Sequence, residues 1–335
     1  MKIGLIGYGY WGPNLARNFH ANPDLDLVRI CDRSQERLQA ASNLYKQTKL
    51  VTDPQVLLND TELDAVAIAT PVSTHFDLAR KALENGMDVW LEKPMTETVE
   101  QAEELIELAE KKKKVLHVDH TFVYTGAVQK IKELFDKGEL GDLIYYDSTR
   151  VNLGLFQQDV DVIWDLAPHD ISIMNHLMPF RKLAVSATGS RFYGNGIVPK
   201  ALLTVYMEHN TLGHINVSWV SPVKIRQTLI GGTSKMILYD DNQPSEKIKV
   251  YDKGVRLYET NEELYHLKVQ YRVGDMWAPK LSNHEALGLA TTHFVECVTN
   301  GRQSLTDGIA GLEVVKILVA SKKSLDQRGA PIDLV

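Results

Sequence analysis

Through the first third of the chain, short apolar runs alternate with stretches in which apolar residues recur every three or four positions. Lys2–Ile6, Leu27–Cys31, Val89–Leu91 and Val115–Val118 are runs of the first kind. Ala65–Ala69, small and β-branched residues bounded by Asp64 and Pro71, reads as a strand buried on both faces. Between these runs, Pro13–Ala21, Thr74–Glu84 and Thr96–Lys112 have helical spacing. Gly86 closes the second helix, and Ala102, Leu105, Ile106 and Ala109 line one face of the third. With a further strand between residues 31 and 65, six strands and their helices predict a doubly wound parallel sheet over residues 1–121.

Beyond residue 120 the rhythm changes. A helix at Ala127–Asp136 is followed by strands in succession at Ile144–Asn152, Leu183–Ser190, Ala201–Met207, Gly213–Val220, Arg226–Gly231 and Lys235–Tyr239. Short turns such as 208–212 and 231–234 favour antiparallel pairing. Residues 122–335 are therefore expected to form an α+β domain on a large open, mostly antiparallel sheet. Helices at Val162–Leu177, Glu285–Thr299 and Gly308–Leu325 are expected to cover one face. The strands are long and apolar, so the other face is expected to bury itself in a homodimer or homotetramer.

The first strand runs into Gly7-Tyr8-Gly9-Tyr10-Trp11-Gly12, and Asp32 closes the second strand. In this G-x-G-x-x-G spacing Gly7 permits the tight turn, Gly9 lets the backbone approach a pyrophosphate, and Gly12 allows close helix-to-strand packing. The free N–H groups of the following helix face the phosphates. Asp32 is placed to accept both ribose hydroxyls and to repel a 2′-phosphate, which favours NAD over NADP, although Arg33 beside it blunts that repulsion. Tyr10 and Trp11 fall within the same cofactor loop.

Composition narrows the partners. A net charge of −6 argues against nucleic acid, which calls for a basic face. The dense basic run Lys111–Lys114 reads as a solvated helix end. The two cysteines, Cys31 and Cys297, form no disulfide framework or zinc cluster. No apolar run is long enough for a membrane span, and the chain opens on its first strand without space for a signal peptide. A cytoplasmic enzyme is the expectation.

Glu92-Lys93-Pro94 follows the fifth strand, and ligands of such sheets bind beyond the carboxyl ends of strands. Lys93 there could orient a substrate hydroxyl, stabilise an alkoxide, or pair with Glu92. In Trp164-Asp165-Leu166-Ala167-Pro168-His169-Asp170, Asp165 and His169 share a helix face, and a carboxylate beside an imidazole suits a general base. Asp165 could instead serve only at the helix start, and Pro168 could alter the geometry. His176, on the same side, reads as a packed core or interface histidine. Nothing nearby supplies a third and fourth metal ligand, so no metal is expected. Thr70-Pro71 and His75 lie at the end of the fourth strand, where they could contact ribose or nicotinamide. A helix cap by Ser73 is the alternative.

Together, the glycine loop, Thr70-Pro71 with His75, Glu92-Lys93-Pro94 and the Asp165/His169 pair resemble the Gfo/Idh/MocA family of sugar and polyol oxidoreductases, over nearly the whole chain. The resemblance implies Lys93, Asp165 and His169 as the catalytic trio, Glu92 near the cofactor ribose, and a second domain whose open sheet forms oligomer contacts. Within the family the chain looks most like nucleotide-sugar dehydrogenases that oxidise C3 of a UDP-N-acetylglucosamine uronic acid. Many members carry an Arg-Phe/Tyr-x-Pro segment where this chain has Val123-Tyr124-Thr125-Gly126. Tyr124, Arg150 and Asn152 become candidate sugar contacts beside Lys93, Asp165 and His169.

The expected activity is hydride transfer between a sugar secondary alcohol and NAD, with a sugar or nucleotide sugar as the small-molecule partner. Two other readings stay open. One is an NAD-dependent glycoside hydrolase working by oxidation and elimination. The other is a non-catalytic dinucleotide sensor.

Overall fold

The computed structural model describes residues 1–154, 160–191, 196–256 and 270–334. The chain divides into two compact units, Met1–Tyr124 with His284–Val319, and Thr125–Asn283 with Ala320–Val335.

The first unit is built on parallel strands β1 (Lys2–Ile6), β2 (Asp26–Cys31), β3 (Lys49–Val51), β4 (Ala65–Ile68), β5 (Asp88–Leu91) and β6 (Leu116–Val118). Their order is β3-β2-β1-β4-β5-β6. The order reverses between β1 and β4, and ligands of open parallel sheets settle beyond the carboxyl ends at such a reversal. Helices α1 (Gly12–Ala21), α2 (Gln35–Leu44), α3 (Pro54–Leu58), α4 (His75–Glu84) and α5 (Val99–Lys112) connect the strands. The start of α5 is set by Thr98, whose side chain accepts from the Gln101 amide, so this helix begins later than the Thr96 read from its pattern.

Helix α8 (Ala286–Asn300) returns to this unit from far along the chain. Its Leu287, Ala290 and Phe294 are buried in one core with Leu15, Phe19 and Trp90. Trp90 meets Phe19 and Phe294 edge-on, with ring centroids 5.5 and 5.6 Å apart. Arg17 of α1 forks onto Glu285 at 2.9 and 2.5 Å. The compact units thus divide after Tyr124, near the expected 121/122 boundary, with 284–319 added to the first, and the expectation that the 285–299 helix covers the second sheet is corrected. Its apolar stripe completes the dinucleotide unit instead.

The second unit carries β7 (Leu143–Leu153), β8 (Lys182–Ser190), β9 (Lys200–Met207), β10 (Leu212–Ser218), β11 (Val220–Gly232), β12 (Met236–Asp240), β13 (Ile248–Arg256), β14 (Gln270–Trp277) and β15 (Ile332–Asp333). They form one sheet in the order β14-β13-β12-β11-β7-β10-β9-β8-β15. Neighbours pair antiparallel except β7 and β10, which run parallel. Strand β9 shows the pleat clearly. Ala201, Leu203, Val205 and Met207 are buried, whereas Leu202 and Tyr206 are exposed.

Helix α7 (Val162–Leu177) lies on the buried face, where the Tyr146 hydroxyl donates to the Asp170 carbonyl at 3.1 Å. Helix α6 (Gly126–Asp136) packs beside it. The remaining helix, α9 (Gly308–Asp326), places Ser324 Oγ 2.8 Å from the Ala187 amide of β8. Among the described residues no helix is long and apolar enough to cross a membrane.

Candidate active site

The dinucleotide end of the first unit is shaped by backbone closeness. Gly7 has φ +99°, and a Cβ there would stand 2.3 Å from the Ala69 carbonyl oxygen. A Cβ on Gly12 would stand 2.3 Å from the carbonyl oxygen of Gly7. Gly9 is open, its nearest neighbour being the Arg37 guanidinium at 3.6 Å from such a Cβ. Asp32 is buried, its Oδ2 accepting from the Tyr8 amide at 2.7 Å and its Oδ1 from the Ser34 amide at 2.8 Å. The Arg37 guanidinium stands 3.6 Å from Asp32 Oδ2. Arg33 is exposed, and Tyr10 is 92% exposed. The tight glycine turn, the open Gly9 backbone and the held carboxylate fit a dinucleotide.

The second cluster lies at the carboxyl ends of β4, β5 and β6. Leu91 pairs with Val118 in parallel register, so Glu92 is level with Asp119 and Lys93 with His120. Glu92 is buried, and its Oε2 accepts from the Lys93 amide at 3.2 Å. Burial, together with the charge of and hydrogen bond to Asp119, pushes the Glu92 carboxyl well above the usual carboxylate range, and Lys93 works against that shift. Asp119 accepts from Trp11 Nε1 at 3.0 Å and from Thr121 Oγ1 at 2.6 Å. His120 is 1% exposed, and burial, then the Lys93 charge, hold its imidazole down at about 3, so the ring is neutral.

His75 is placed differently from its sequence expectation. Its Nδ1 lies 2.9 Å from the Pro94 carbonyl and its Nε2 2.8 Å from the Thr70 carbonyl, with the ring fully buried. The two ring nitrogens face these two backbone carbonyls, and the neutral imidazole, with one N–H, donates to one of them, so His75 sits between the loop after β4 and the Lys93-Pro94 step, which has a cis peptide bond. The Ser73 cap is corrected. The residue before α4 is Thr74, without a side-chain capping bond. The Thr74 hydroxyl instead donates to Thr70 Oγ1 at 2.7 Å, and Pro71 is exposed.

In the second unit Asp161 caps α7, accepting from the Ile163 and Trp164 amides at 3.0 and 3.2 Å. Asp165 is thereby released from the capping role, and its Oδ2 accepts from Trp219 Nε1 at 2.9 Å. His169 lies one turn further on, and the helix runs unbroken through Pro168. Arg150 is committed elsewhere. Its side chain is 6% exposed, with Nε 2.6 Å and Nη2 3.4 Å from the Asp170 carboxylate. Where the sequence suggested a sugar contact, Arg150 makes a buried ion pair.

Tyr124 is likewise interior, in the first unit's core with its hydroxyl 3.3 Å from Thr306 Oγ1. Asn152 is half-buried on the same face of β7 as Arg150. Sequence reasoning missed Asp119, His120 and Trp219. The first two follow β6 as Lys93 follows β5, so the strand-end rule that singled out Lys93 also points to them.

Residues 1–120 match the family model described as oxidoreductase family, NAD-binding Rossmann fold, and residues 128–238 match the family's C-terminal domain. The chain belongs to the Gfo/Idh/MocA oxidoreductase family. Its first unit is an NAD-binding Rossmann domain. Among curated relatives of this Gfo/Idh/MocA protein, scyllo-inositol 2-dehydrogenase (NAD(+)) of Bacillus subtilis (strain 168) is 26% identical, over 100% of this chain and 95% of the relative. UDP-N-acetylglucosamine 3-dehydrogenase of Acidithiobacillus ferrooxidans is 30% identical, over 56% of this chain and 58% of the relative. The solved structure of that enzyme from the same organism superposes with a TM-score of 0.82 at 24% identity, over 98% of both chains. GenD2 from gentamicin A biosynthesis, solved in complex with NAD, gives 0.83 at 20% identity, over 100% of this chain and 96% of that one. These two likenesses establish the fold.

Proposed function

We propose that this protein is an NAD-dependent dehydrogenase of a sugar secondary alcohol, at C3 of a nucleotide-linked sugar or uronic acid. The observation that carries the reading is the setting of Lys93. It stands at the carboxyl end of β5 among Glu92, His75 and His120, in a family whose relatives bear the names of sugar and inositol dehydrogenases. When bound, NAD supplies the hydride acceptor. Gly7, Gly9, Gly12 and Asp32 would hold it, with Thr70 and Glu92 toward the nicotinamide end, and the buried Asp32 carboxylate supports a preference over NADP.

Lys93 would hold the reacting hydroxyl and stabilise negative charge developing on its oxygen. His169 would remove the hydroxyl proton, with Asp165, itself fixed by Trp219, orienting the imidazole. Alanine at Lys93 or His169 is expected to lower turnover by about 10²–10⁴-fold while NAD affinity changes little. The measurement is NADH absorbance over a panel of nucleotide sugars and inositols. Near-normal turnover in both variants defeats these roles, and release of a leaving group without NADH would replace dehydrogenation by elimination.

The open sheet face supports self-association. Leu202, Tyr206 and Leu229 are 51%, 36% and 45% exposed on it, beside the His214–Asp147 pair. A homodimer or homotetramer through this face is the proposed assembly, and a stable monomer in equilibrium sedimentation would exclude it. Cys31 and Cys297, both free and buried, support a reducing, cytoplasmic setting.

A further inference from the structure

Two polar groups at the ends of β5 and β6 are buried without being satisfied. Among the described residues, neither ring nitrogen of His120 has a hydrogen-bond partner, and neither does Glu92 Oε1. Buried polar groups in native interiors are normally hydrogen-bonded, so each unpartnered one has an explanation. The two follow adjacent strands, Glu92 level with Asp119 and His120 one residue beyond it, and the Lys93 charge acts on both. Both belong to the cofactor-binding unit, with exposures of 1% and 9%.

We propose that Glu92 Oε1 and His120 together form the recess that takes the carboxamide of the nicotinamide. A primary amide presents one acceptor oxygen and an NH₂ donor side by side. The neutral His120 ring carries one N–H to offer the amide oxygen. Glu92 Oε1 is left to accept from the amide NH₂, because Oε2 already serves the Lys93 backbone. Asp119, with the Trp11 indole and the Thr121 hydroxyl donating to it, sets a negative charge beside the recess that suits the cationic ring of oxidised NAD. A sugar hydroxyl would use only part of this donor–acceptor set. The inference rests on NAD binding by the first unit and adds which residues fix the nicotinamide's orientation.

Isothermal titration of the full-length chain with NAD, ADP-ribose and the 3-acetylpyridine analogue of NAD tests it. His120→Ala and the milder His120→Asn are expected to weaken NAD about tenfold, one net hydrogen bond, while ADP-ribose, which lacks the nicotinamide, shifts by less than about twofold. The unaltered protein is expected to bind the acetylpyridine analogue more weakly than NAD, since that analogue has no NH₂ for Glu92. This second comparison needs no variant to fold. Equal losses for NAD and ADP-ribose would make His120 structural. Unchanged NAD affinity with a raised sugar KM would assign it to the substrate. Either result, or equal affinity for NAD and its analogue, overturns the proposal. Failure of the unaltered protein to bind NAD would instead overturn the functional reading beneath it.

Discussion

The Trp11 indole N–H donates to the Asp119 carboxylate at 3.0 Å, joining the glycine loop after β1 to the end of β6 across 108 residues of sequence. This bond fixes the last part of the cofactor loop against the strand ends that carry Glu92 and Lys93. Trp11→Phe keeps the ring and removes the donor. A charge-assisted bond is worth about 1.5–3 kcal/mol, so NAD affinity is expected to fall by about tenfold or more. Titration calorimetry checks this, with unchanged affinity counting against the link.

Two glycines of one motif are expected to respond differently. A methyl on Gly12 meets the Gly7 carbonyl at 2.3 Å, so Gly12→Ala should shift the backbone and lower both thermal stability and NAD binding. A methyl on Gly9 meets only the Arg37 guanidinium at 3.6 Å, so Gly9→Ala should fold normally and lose affinity alone. Melting curves alongside binding isotherms separate the two.

The Arg150–Asp170 pair is a packing element of the second unit. Removing one partner strands a buried charge, so Arg150→Met should destabilise by about 3–5 kcal/mol, whereas Arg150→Met with Asp170→Leu should recover much of the loss. Denaturant midpoints of the two variants give the comparison.

Glu92 and His120 are expected to tilt the pH–stability curve in opposite directions. His120 is held at about 3, below its ordinary value near 6.5, so its contribution is full above that value and is lost as pH falls toward 3. Replacing it by Gln should therefore give a gain over the parent that grows from pH 7 to pH 5, by about 1.4 kcal/mol at most for each unit. Glu92 is raised, so its contribution is full below about 4.3 and is lost as pH rises toward its folded value. Glu92→Gln should then gain most as pH rises from 5 to 7. Urea midpoints measured across this range decide the signs.

Much of the first sheet was legible because each strand is a short apolar run and each turn residue has a local job. Gly7 makes the tight turn and Gly12 the close backbone approach that their spacing predicts. The destination of α8 was not legible. Its apolar stripe fits any exposed core, and no local pattern says that Phe294 belongs with Phe19 and Trp90 rather than with the sheet nearer in sequence. The Arg150 ion pair was not legible either, because no spacing along β7 announces its partner, Asp170 on α7. The parallel β7–β10 pair also escaped, because turn lengths report on neighbours in sequence and these two strands are separated by α7, β8 and β9. Asp119 and His120 carry no motif, and only their level beside Glu92 and Lys93 gives them meaning.

The return of α8 has a bearing on biosynthesis. Chains generally fold from the amino end as they leave the ribosome, yet here Trp90 and Phe19 wait for Phe294 before their shared core closes. During translation the nascent nucleotide domain must persist with that apolar seam uncovered until Phe294 has emerged. A truncation ending near residue 121 should accordingly be prone to aggregation, and adding residues 284–319 back as a separate peptide should rescue its solubility.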